Sequence, residues 1–150
     1  MQIVSLKIAS PDFSGGGALL KEFTLDGENT TPTFIVSGVP EQAIELALIC
    51  HDPDAPLPRG FTHWVLYHLP PTISEVSSAT ISSASSGING FGKTGYMGPQ
   101  PPEDHGLHHY YFWIYALDTK VIGEPSREQF LDKYADNIIE QNRIIGTYQR

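Results

Sequence analysis

The sequence predicts a single, mainly β domain that spans residues 1–150. Several short stretches carry the apolar pattern of β-strands, whereas only one late stretch carries the pattern of a helix. Twelve prolines and fourteen glycines leave little room for long helices. The length of 150 residues suits one domain, and neither a repeat nor a linker divides the chain.

The predicted strands differ in how deeply they should be buried. Residues 43–50 form a nearly continuous apolar run, which is typical of a central strand covered on both faces. Residues 110–117 form the most aromatic stretch and fit a second strand of this kind. The other predicted strands are residues 2–8, 33–36, 62–69 and 143–148.

One or two helices are predicted between residues 127 and 141. Ser126 is followed three positions later by Gln129, which is the pattern of a capping box. Apolar residues then recur at helical spacing, namely Phe130, Leu131, Tyr134, Ile138 and Ile139. By contrast, residues 77–95 are rich in Ser, Gly and Asn and predict a long surface loop.

Composition narrows the class of protein. Nine basic against seventeen acidic residues give a net charge of −8, which argues against general nucleic-acid binding and against docking on an anionic membrane. The single cysteine, Cys50, excludes an intrachain disulfide and should be an inert core residue. No apolar run approaches the roughly 20 residues of a membrane span, and the first residues do not resemble a secretion signal. A cytoplasmic location is therefore expected.

Residues 87–94 match the nucleotide-binding pattern G-x-x-x-x-G-K-[ST] letter for letter. That chemistry needs a buried strand before the loop and a helix after it, whose first amides face the phosphates. A Ser-rich segment precedes the match, and Gly95, Gly98 and Pro99 occupy the place of the helix. The match is therefore interpreted as a coincidence in a glycine-rich loop.

The most unusual string is Asp-Pro-Asp-Ala-Pro at residues 52–56, directly after the predicted central strand. Its two prolines prevent a helix or an inner strand, so Asp52 and Asp54 are presented on a stiff turn. A solvated acidic turn is one interpretation of this string. An acid–base pair or a set of oxygen ligands for Ca²⁺ or Mg²⁺ is another.

Two histidines lie at the starts of other predicted strands. His63 begins the strand predicted over residues 62–69, and His108 begins the aromatic one. If these strands are neighbours in one sheet, Asp52, His63 and His108 converge at its rim, where loops commonly carry binding groups. Each histidine on its own fits a hydrogen-bonded structural role. Together with Asp52 they fit a zinc site, general acid–base catalysis, or an anion pocket in which the carboxylate orients an imidazole.

These strings together resemble the phosphatidylethanolamine-binding protein family, which includes the Raf kinase inhibitor proteins. The resemblance rests on D-P-D-A-P at 52–56, His63-Trp64, the turn-rich stretch 96–102 and G-L-H-H-Y-Y-F at 106–112. It covers nearly the whole chain, and the compact length is similar to the bacterial and archaeal branch. This branch commonly carries a G-x-N-x-x-G segment, which accounts for the nucleotide-binding pattern.

The resemblance implies a large central antiparallel-rich sheet, a smaller second sheet and one or two C-terminal helices. It also implies a small anion pocket at the rim of the large sheet, with Asp52, His63, His108 and Tyr110 as binding residues. The corresponding wall positions are Asp54, Ala55, Pro56, Trp64, Gly98, Pro99, Pro101, Gly106 and His109.

Two details concern the first motif. Family members often hold the alanine–proline bond in cis, so a cis peptide is expected between Ala55 and Pro56. The family usually has arginine after the motif histidine, but here that residue is His109. If the arginine braces an acidic residue of the first motif, the brace should be weaker or pH-dependent in this chain.

The expected function is therefore non-enzymatic binding of phosphate, a phosphoryl head group or another small anion, with no catalytic residue, metal or cofactor. A kinase or protease is the expected protein partner, and a homodimer is left open. The alternatives are a hydrolase or lyase that uses the Asp/His set, a protein-interaction module whose pocket is unused, and a metal protein.

Overall fold

Two antiparallel sheets and one α-helix form three layers in the computed structural model, which describes residues 4–81 and 84–150. The elements are β1 (Lys7–Ala9), β2 (Phe34–Ser37), β3 (Glu45–Asp52), β4 (Phe61–Leu69), β5 (Glu75–Val76), β6 (Ser85–Ser86), β7 (His108–Leu117), α1 (Arg127–Tyr134) and β8 (Ile138–Tyr148). The large sheet has the order β6-β4-β3-β7-β8, and the small sheet has the order β1-β2-β5. The predicted mainly β fold with two sheets and a C-terminal helix is confirmed.

Strand β3 is the centre of the large sheet, as its apolar run predicts. All its residues are buried, because the small sheet covers one face and α1 covers the other. The core between the sheets includes Phe34, whose ring centroid lies 4.8 Å from that of Phe112. On the opposite face, the Phe130 ring of α1 lies 5.4 Å from Tyr67 and 5.5 Å from Tyr115.

Helix α1 begins where the sequence predicts and ends earlier. The Ser126 hydroxyl accepts the Gln129 N–H, and the Gln129 side chain accepts the Ser126 N–H, which completes the capping box. After Tyr134 a 3-10 turn leads directly into β8. The prediction of helix as far as residue 141 was therefore wrong for Ile138 and Ile139. Both residues belong to β8, where Ile138 pairs with Leu117 of β7 and Ile139 is the extra residue at a register shift. The long ladder between the two strands outweighs their helical spacing.

The sequence did not predict two short strands, and one predicted strand lies partly outside the residues that the structure describes. Strand β1 begins at Lys7, and the first residues of the strand predicted over 2–8 lie outside the described residues. Strands β5 and β6 are two residues long, so they carry no periodic pattern. The predicted loop 77–95 contains β6, which adds an edge to the large sheet through the pairs Leu66–Ser86 and Tyr67–Ser85.

The antiparallel order brings three strand ends to one rim of the large sheet. The end of β3 meets the start of β4 at the pair Asp52–Phe61, and it meets the start of β7 at the pair His51–Tyr111. Residues that lie far apart in the sequence are therefore neighbours at this rim.

Candidate functional site

A cavity of about 270 Å³ opens at this rim, and we call it the rim cavity. Its polar lining includes the four predicted binding residues, Asp52, His63, His108 and Tyr110. The complete lining is Asp52, Ala55, Pro56, Leu57, Phe61, His63, Phe91, Gln100, Pro101, Pro102, His108 and Tyr110. The sequence-predicted convergence of strand ends therefore occurs, and it places polar groups at the base of an otherwise mostly apolar cavity.

A β-bulge positions His63. The register between β3 and β4 passes from the pair Cys50–Trp64 to the pair His51–Thr62, so His63 is the extra residue of β4. A bulge of this kind re-aims a side chain. Here Trp64 stays in the core between the sheets while the adjacent His63 lines the rim cavity.

Asp52 and His108 form a buried pair. The His108 Nδ1 donates to Asp52 Oδ2 at 2.7 Å, and the Asp54 N–H donates to Asp52 Oδ1 at 2.7 Å. Each carboxylate oxygen thus has a donor, which is what a buried ionised carboxylate requires. The pair fixes the plane of the imidazole and places its proton on Nδ1.

The second nitrogen of His108 also has a partner, which sequence reasoning missed. His105 Nδ1 lies 2.6 Å from His108 Nε2, and the two rings share one proton across this contact. His105 is exposed in the turn before β7, where Asp104 and Gly106 have positive φ. His105 reaches the His108 ring because the backbone turns sharply between them. The sequence contains no pattern that predicts this turn, so the contact could not be predicted.

His63 is held by the backbone. Its Nδ1 lies 2.7 Å from the Met97 carbonyl oxygen, which can only accept, so Nδ1 carries the proton. Burial lowers the pKa of His63, while the Met97 carbonyl and the Asp52 carboxylate partly oppose that shift. The neutral ring is therefore favoured, and its Nε2 has no hydrogen-bond partner among the described residues.

Tyr110 supplies a donor. Only 1% of this residue is exposed, and its hydroxyl makes no hydrogen bond within the described part of the chain. Burial, assisted by the charge of Asp52, raises the pKa of Tyr110, so the hydroxyl keeps its proton. A hydroxyl that lines a cavity without a protein partner is a group to which a ligand can bond.

The structure places only part of the predicted wall at the cavity. Ala55, Pro56 and Pro101 line the cavity, whereas Gly98, Pro99 and Gly106 do not. Gly98 lies behind the wall, where an added Cβ would be 2.3 Å from the Phe23 carbonyl oxygen. The turn-rich stretch 96–102 therefore contains residues that support the cavity from behind as well as residues that line it. Three other predictions of wall residues were also wrong, those for Asp54, Trp64 and His109.

Trp64 is excluded from the cavity because its ring packs in the core, 5.6 Å from Tyr96. Asp54 and His109 point outward and pair with each other. The Asp54 Oδ2 accepts both the His109 backbone N–H at 2.8 Å and the ring Nδ1 at 2.7 Å. Alternation along β7 accounts for this, since His108 and Tyr110 face the cavity and the residue between them does not.

The Asp54–His109 pair is a brace between the first motif and β7. Slight burial tends to raise the pKa of the Asp54 carboxyl, but the bonds from the His109 ring and amide outweigh it and lower the pKa. The two side chains are 40% and 44% exposed, so the ion pair itself contributes little. The backbone bond does not depend on the charge of His109, and it holds the turn when the ring is neutral.

The part of the cavity formed by Leu57, Phe61 and Phe91 was not predicted. Phe61 packs with its ring centroid 4.9 Å from His63 and 4.8 Å from Phe91, and Leu57 adds an exposed apolar edge. These residues come from two different loops and one strand start. No short motif joins them, so only the tertiary structure identifies them as a group.

The peptide between Ala55 and Pro56 is trans, so the expectation of a cis bond was wrong. A trans bond is the favoured isomer before proline. The turn is compatible with it, since the Leu57 N–H donates to the Ala55 carbonyl at 2.7 Å.

The segment that matches the nucleotide-binding pattern has another role. Asn89 is buried, and its side chain bonds the backbone of Phe91, Lys93 and Gly95, which closes a tight loop. No helix follows this loop in the described residues. The glycines serve packing, since an added Cβ on Gly90 would lie 2.5 Å from the Phe61 ring.

Two absences within residues 4–81 and 84–150 bear on the alternatives. These residues contain no group of three or more His, Cys, Asp or Glu side chains arranged to hold a metal ion. None of their helices has the length and apolar character needed to cross a membrane.

Comparisons with known proteins agree with the fold and the motifs. The family model described as phosphatidylethanolamine-binding protein matches residues 9–149. A UPF0098 protein of Aquifex aeolicus is 37% identical over 153 residues, which cover 97% of this chain and 89% of that protein. A UPF0098 protein of Archaeoglobus fulgidus is 38% identical over 92% of this chain, which spans about half (49%) of that longer relative.

Two solved structures have the same architecture. A phosphatidylethanolamine-binding protein homologue from Chlamydia trachomatis has a TM-score of 0.90 and 33% identity, with 99% of each chain covered. Escherichia coli YbcL, described as a member of the mammalian family, has a TM-score of 0.90 and 28% identity, with 97% of this chain and 99% of that chain covered. The sequence match and the shared fold agree, and the chain belongs to the phosphatidylethanolamine-binding protein family.

Proposed function

We propose that this chain is a non-enzymatic binding protein whose rim cavity holds a small phosphate-bearing ligand. The observation that carries the proposal is Tyr110, a buried residue of the cavity lining whose hydroxyl is protonated and makes no hydrogen bond to the described residues. Beside it lie His63 and the Asp52–His108 pair. Polar groups that are held in place before the ligand arrives lower the cost of binding an oxyanion.

The composition of the lining supports binding over catalysis. Among the described residues that line the cavity there is no serine, threonine, cysteine or lysine, the usual covalent nucleophiles. The His108 ring uses both nitrogens in contacts to Asp52 and His105, which leaves it no free site for proton transfer. An enzyme that used this cavity would depend on His63, so turnover that disappears in His63→Ala would contradict the proposal.

The walls support a ligand with an apolar part. Leu57, Phe61 and Phe91 surround the opening, and Pro56 and Pro101 add rigid apolar surface. A phosphoryl group at the base and a short organic part against these side chains would use both halves of the cavity. A phosphomonoester, a lipid head group and a phosphorylated side chain share this chemistry.

The proposal is tested by NMR titration of the uniformly labelled protein with inorganic phosphate and phosphoethanolamine. We expect shifts of the amides near Asp52 and His63 in the wild type. Binding should weaken about tenfold or more in Tyr110→Phe, which removes the donor, and in His108→Ala, which leaves the buried Asp52 charge without its partner beside the anion. His68→Ala is the matched control, because His68 lies on the same strand as His63 but outside the cavity. Absence of shifts at the rim in the wild type would refute the proposal.

A kinase or protease as protein partner stays a prediction. It would require the ligand to be a phosphorylated side chain or the exposed rim to dock against the partner. Retention of a candidate kinase or protease by the wild type, and its release by millimolar phosphate, would support the use of the rim cavity in that interaction.

A further inference from the structure

Most of the hydrogen-bonding groups in the rim cavity already have partners within the protein. Asp52 accepts from Asp54 N–H through Oδ1 and from His108 through Oδ2, so neither oxygen needs a ligand donor. His108 in turn uses Nδ1 for Asp52 and Nε2 for His105. The buried Asp52–His108 pair therefore presents no free donor to an anion.

Two polar side chains are left for a ligand, and they have opposite roles. His63 carries its proton on Nδ1, which is committed to the Met97 carbonyl, so the Nε2 of the neutral ring is an acceptor. Tyr110 has an unpartnered hydroxyl whose proton is available, so it is a donor. A fitting oxyanion must accept a bond from Tyr110 and donate one to His63.

No positive side chain offsets a dianion. Among the described residues that line the cavity there is no lysine or arginine, and the fixed charge at its base is that of Asp52. The charged and titratable groups packed around His63 are Asp52, His108 and Tyr110, and the carbonyls of Met97 and Gly98 also act on its ring. Burial outweighs these neighbours and lowers the pKa of His63, which maintains the acceptor form at neutral pH.

We propose that the rim cavity selects oxyanions that carry their own proton, with His63 as the residue that determines this specificity. A phosphate monoester in its monoanionic form donates its P–OH to His63 Nε2 and accepts from the Tyr110 hydroxyl through a P–O⁻ oxygen. Sulfate and phosphate diesters have the same tetrahedral shape but no proton to donate. Their oxygens would face the His63 lone pair, and two buried acceptors would be left opposed.

The inference rests on the proposed function and narrows its ligand class. A lipid head group attached through a phosphodiester falls in the rejected class, whereas inorganic phosphate and phosphomonoesters fall in the accepted class. Free phosphate and a diester-linked lipid head group thus differ in one feature, the P–OH proton that only the former can donate to His63.

The experiment is a calorimetric titration of the intact chain with methyl phosphate, dimethyl phosphate and sulfate. At about pH 6, where monoesters lose their second proton, we expect methyl phosphate to bind at least about tenfold more tightly than either other anion. Above about pH 7 the affinity for methyl phosphate should fall about tenfold per pH unit, as the monoanion disappears.

The variant His63→Gln tests the assigned residue. A carboxamide can rotate to donate, so the preference for methyl phosphate over sulfate should shrink to about threefold or less. His68→Gln is the matched control, since the His68 ring also donates to a carbonyl, that of Val121, but lies outside the cavity. It should keep the wild-type preference.

The outcomes separate the two proposals. Equal binding of sulfate and methyl phosphate by the wild type would overturn the selectivity and leave the phosphate pocket standing. Failure of methyl phosphate and inorganic phosphate to bind at all would overturn the proposed function itself. If His63→Gln does not fold, the ranking of the three anions by the wild type still decides the matter.

Discussion

At the scale of single residues, the histidines at the rim differ in what holds each ring. His63 is fixed by a backbone carbonyl and His108 by a carboxylate, whereas His51 bonds the Thr62 hydroxyl at 3.0 Å. His51 faces the opposite side of the sheet, towards Arg127 at the start of α1. Burial, assisted by the charge of Arg127, lowers the pKa of His51 to about 4 from an ordinary value of 6.5. Its folded environment therefore requires a neutral ring.

The pKa of His51 predicts a loss of stability in weak acid. The unfolded chain binds a proton at this residue below pH 6.5, whereas the folded chain binds it only near pH 4. The contribution of His51 is thus fully present above pH 6.5 and is lost as the pH falls from there towards 4. Over that window we expect on the order of 2 kcal/mol of unfolding free energy to be lost through this ring.

Urea denaturation at about pH 7.5 and about pH 5 measures this effect, because stability should fall in the wild type and fall less in His51→Asn. Asparagine can retain the bond to Thr62 but does not titrate. An identical pH dependence in the two proteins would assign the acid loss to other groups, such as His63, whose pKa is also lowered by burial.

At the scale of elements, the loop 87–95 shows what its glycines are for. Gly90 lies against the Phe61 ring, and Gly87 approaches the Pro125 carbonyl so closely that a Cβ would be 2.7 Å away. The Gly90 N–H also donates to the Thr62 carbonyl, which ties the loop to β4. The loop therefore supports the wall of the rim cavity from behind. Its sequence matches the pattern of a phosphate-binding loop, but the helix that should directly follow such a loop is missing from the described residues.

The substitution Gly90→Ala tests this packing role. Phe61 is confined between His63 and Phe91, so the added methyl should force the ring into the cavity and lower the unfolding free energy by about 1–3 kcal/mol. The shift of Phe61 should also weaken phosphate binding in the NMR titration. Gly15→Ala is the control, because the nearest atom to its added Cβ is 3.9 Å away, and it should change stability by less than about 0.5 kcal/mol. Equal effects of the two substitutions would contradict the packing role.

The limits of prediction also appear at this scale. The apolar run of β3 and the capping box of α1 were predictable, because burial on both faces and a helix start leave local patterns. The two-residue strands were not, since their pairing depends on neighbours distant in sequence. The same holds for the site, where the motif identified Asp52 and His63 but not the contact from His105, which a turn creates.

At the scale of the whole molecule, the net charge of −8 and the proposed anion site are compatible. The rim cavity attracts no ligand through bulk charge, and its described lining has no basic side chain. Recognition would then depend on matched donors and acceptors at short range. The selectivity for a protonated oxyanion follows from that same lack of positive charge.

The three layers should also unfold as one domain. Phe34 of the small sheet is fully buried, and its ring contacts Phe13, Trp64 and Phe112, so the packing of both sheets meets at this side chain. Phe34→Ala should lower the unfolding free energy by about 3–5 kcal/mol. Because the tryptophans, Trp64 and Trp113, belong to the large sheet, their fluorescence reports that sheet.

The fluorescence and far-ultraviolet circular dichroism transitions should move together in Phe34→Ala, as expected for a two-state domain. Ile35→Ala, on the same strand with 41% of the residue exposed, is the control and should cost less than about 1 kcal/mol. A separate early transition in circular dichroism, with the tryptophan transition unmoved, would mean that the small sheet melts independently. The buried Phe34 contacts argue against that result, because removing this ring opens a cavity that the large sheet shares.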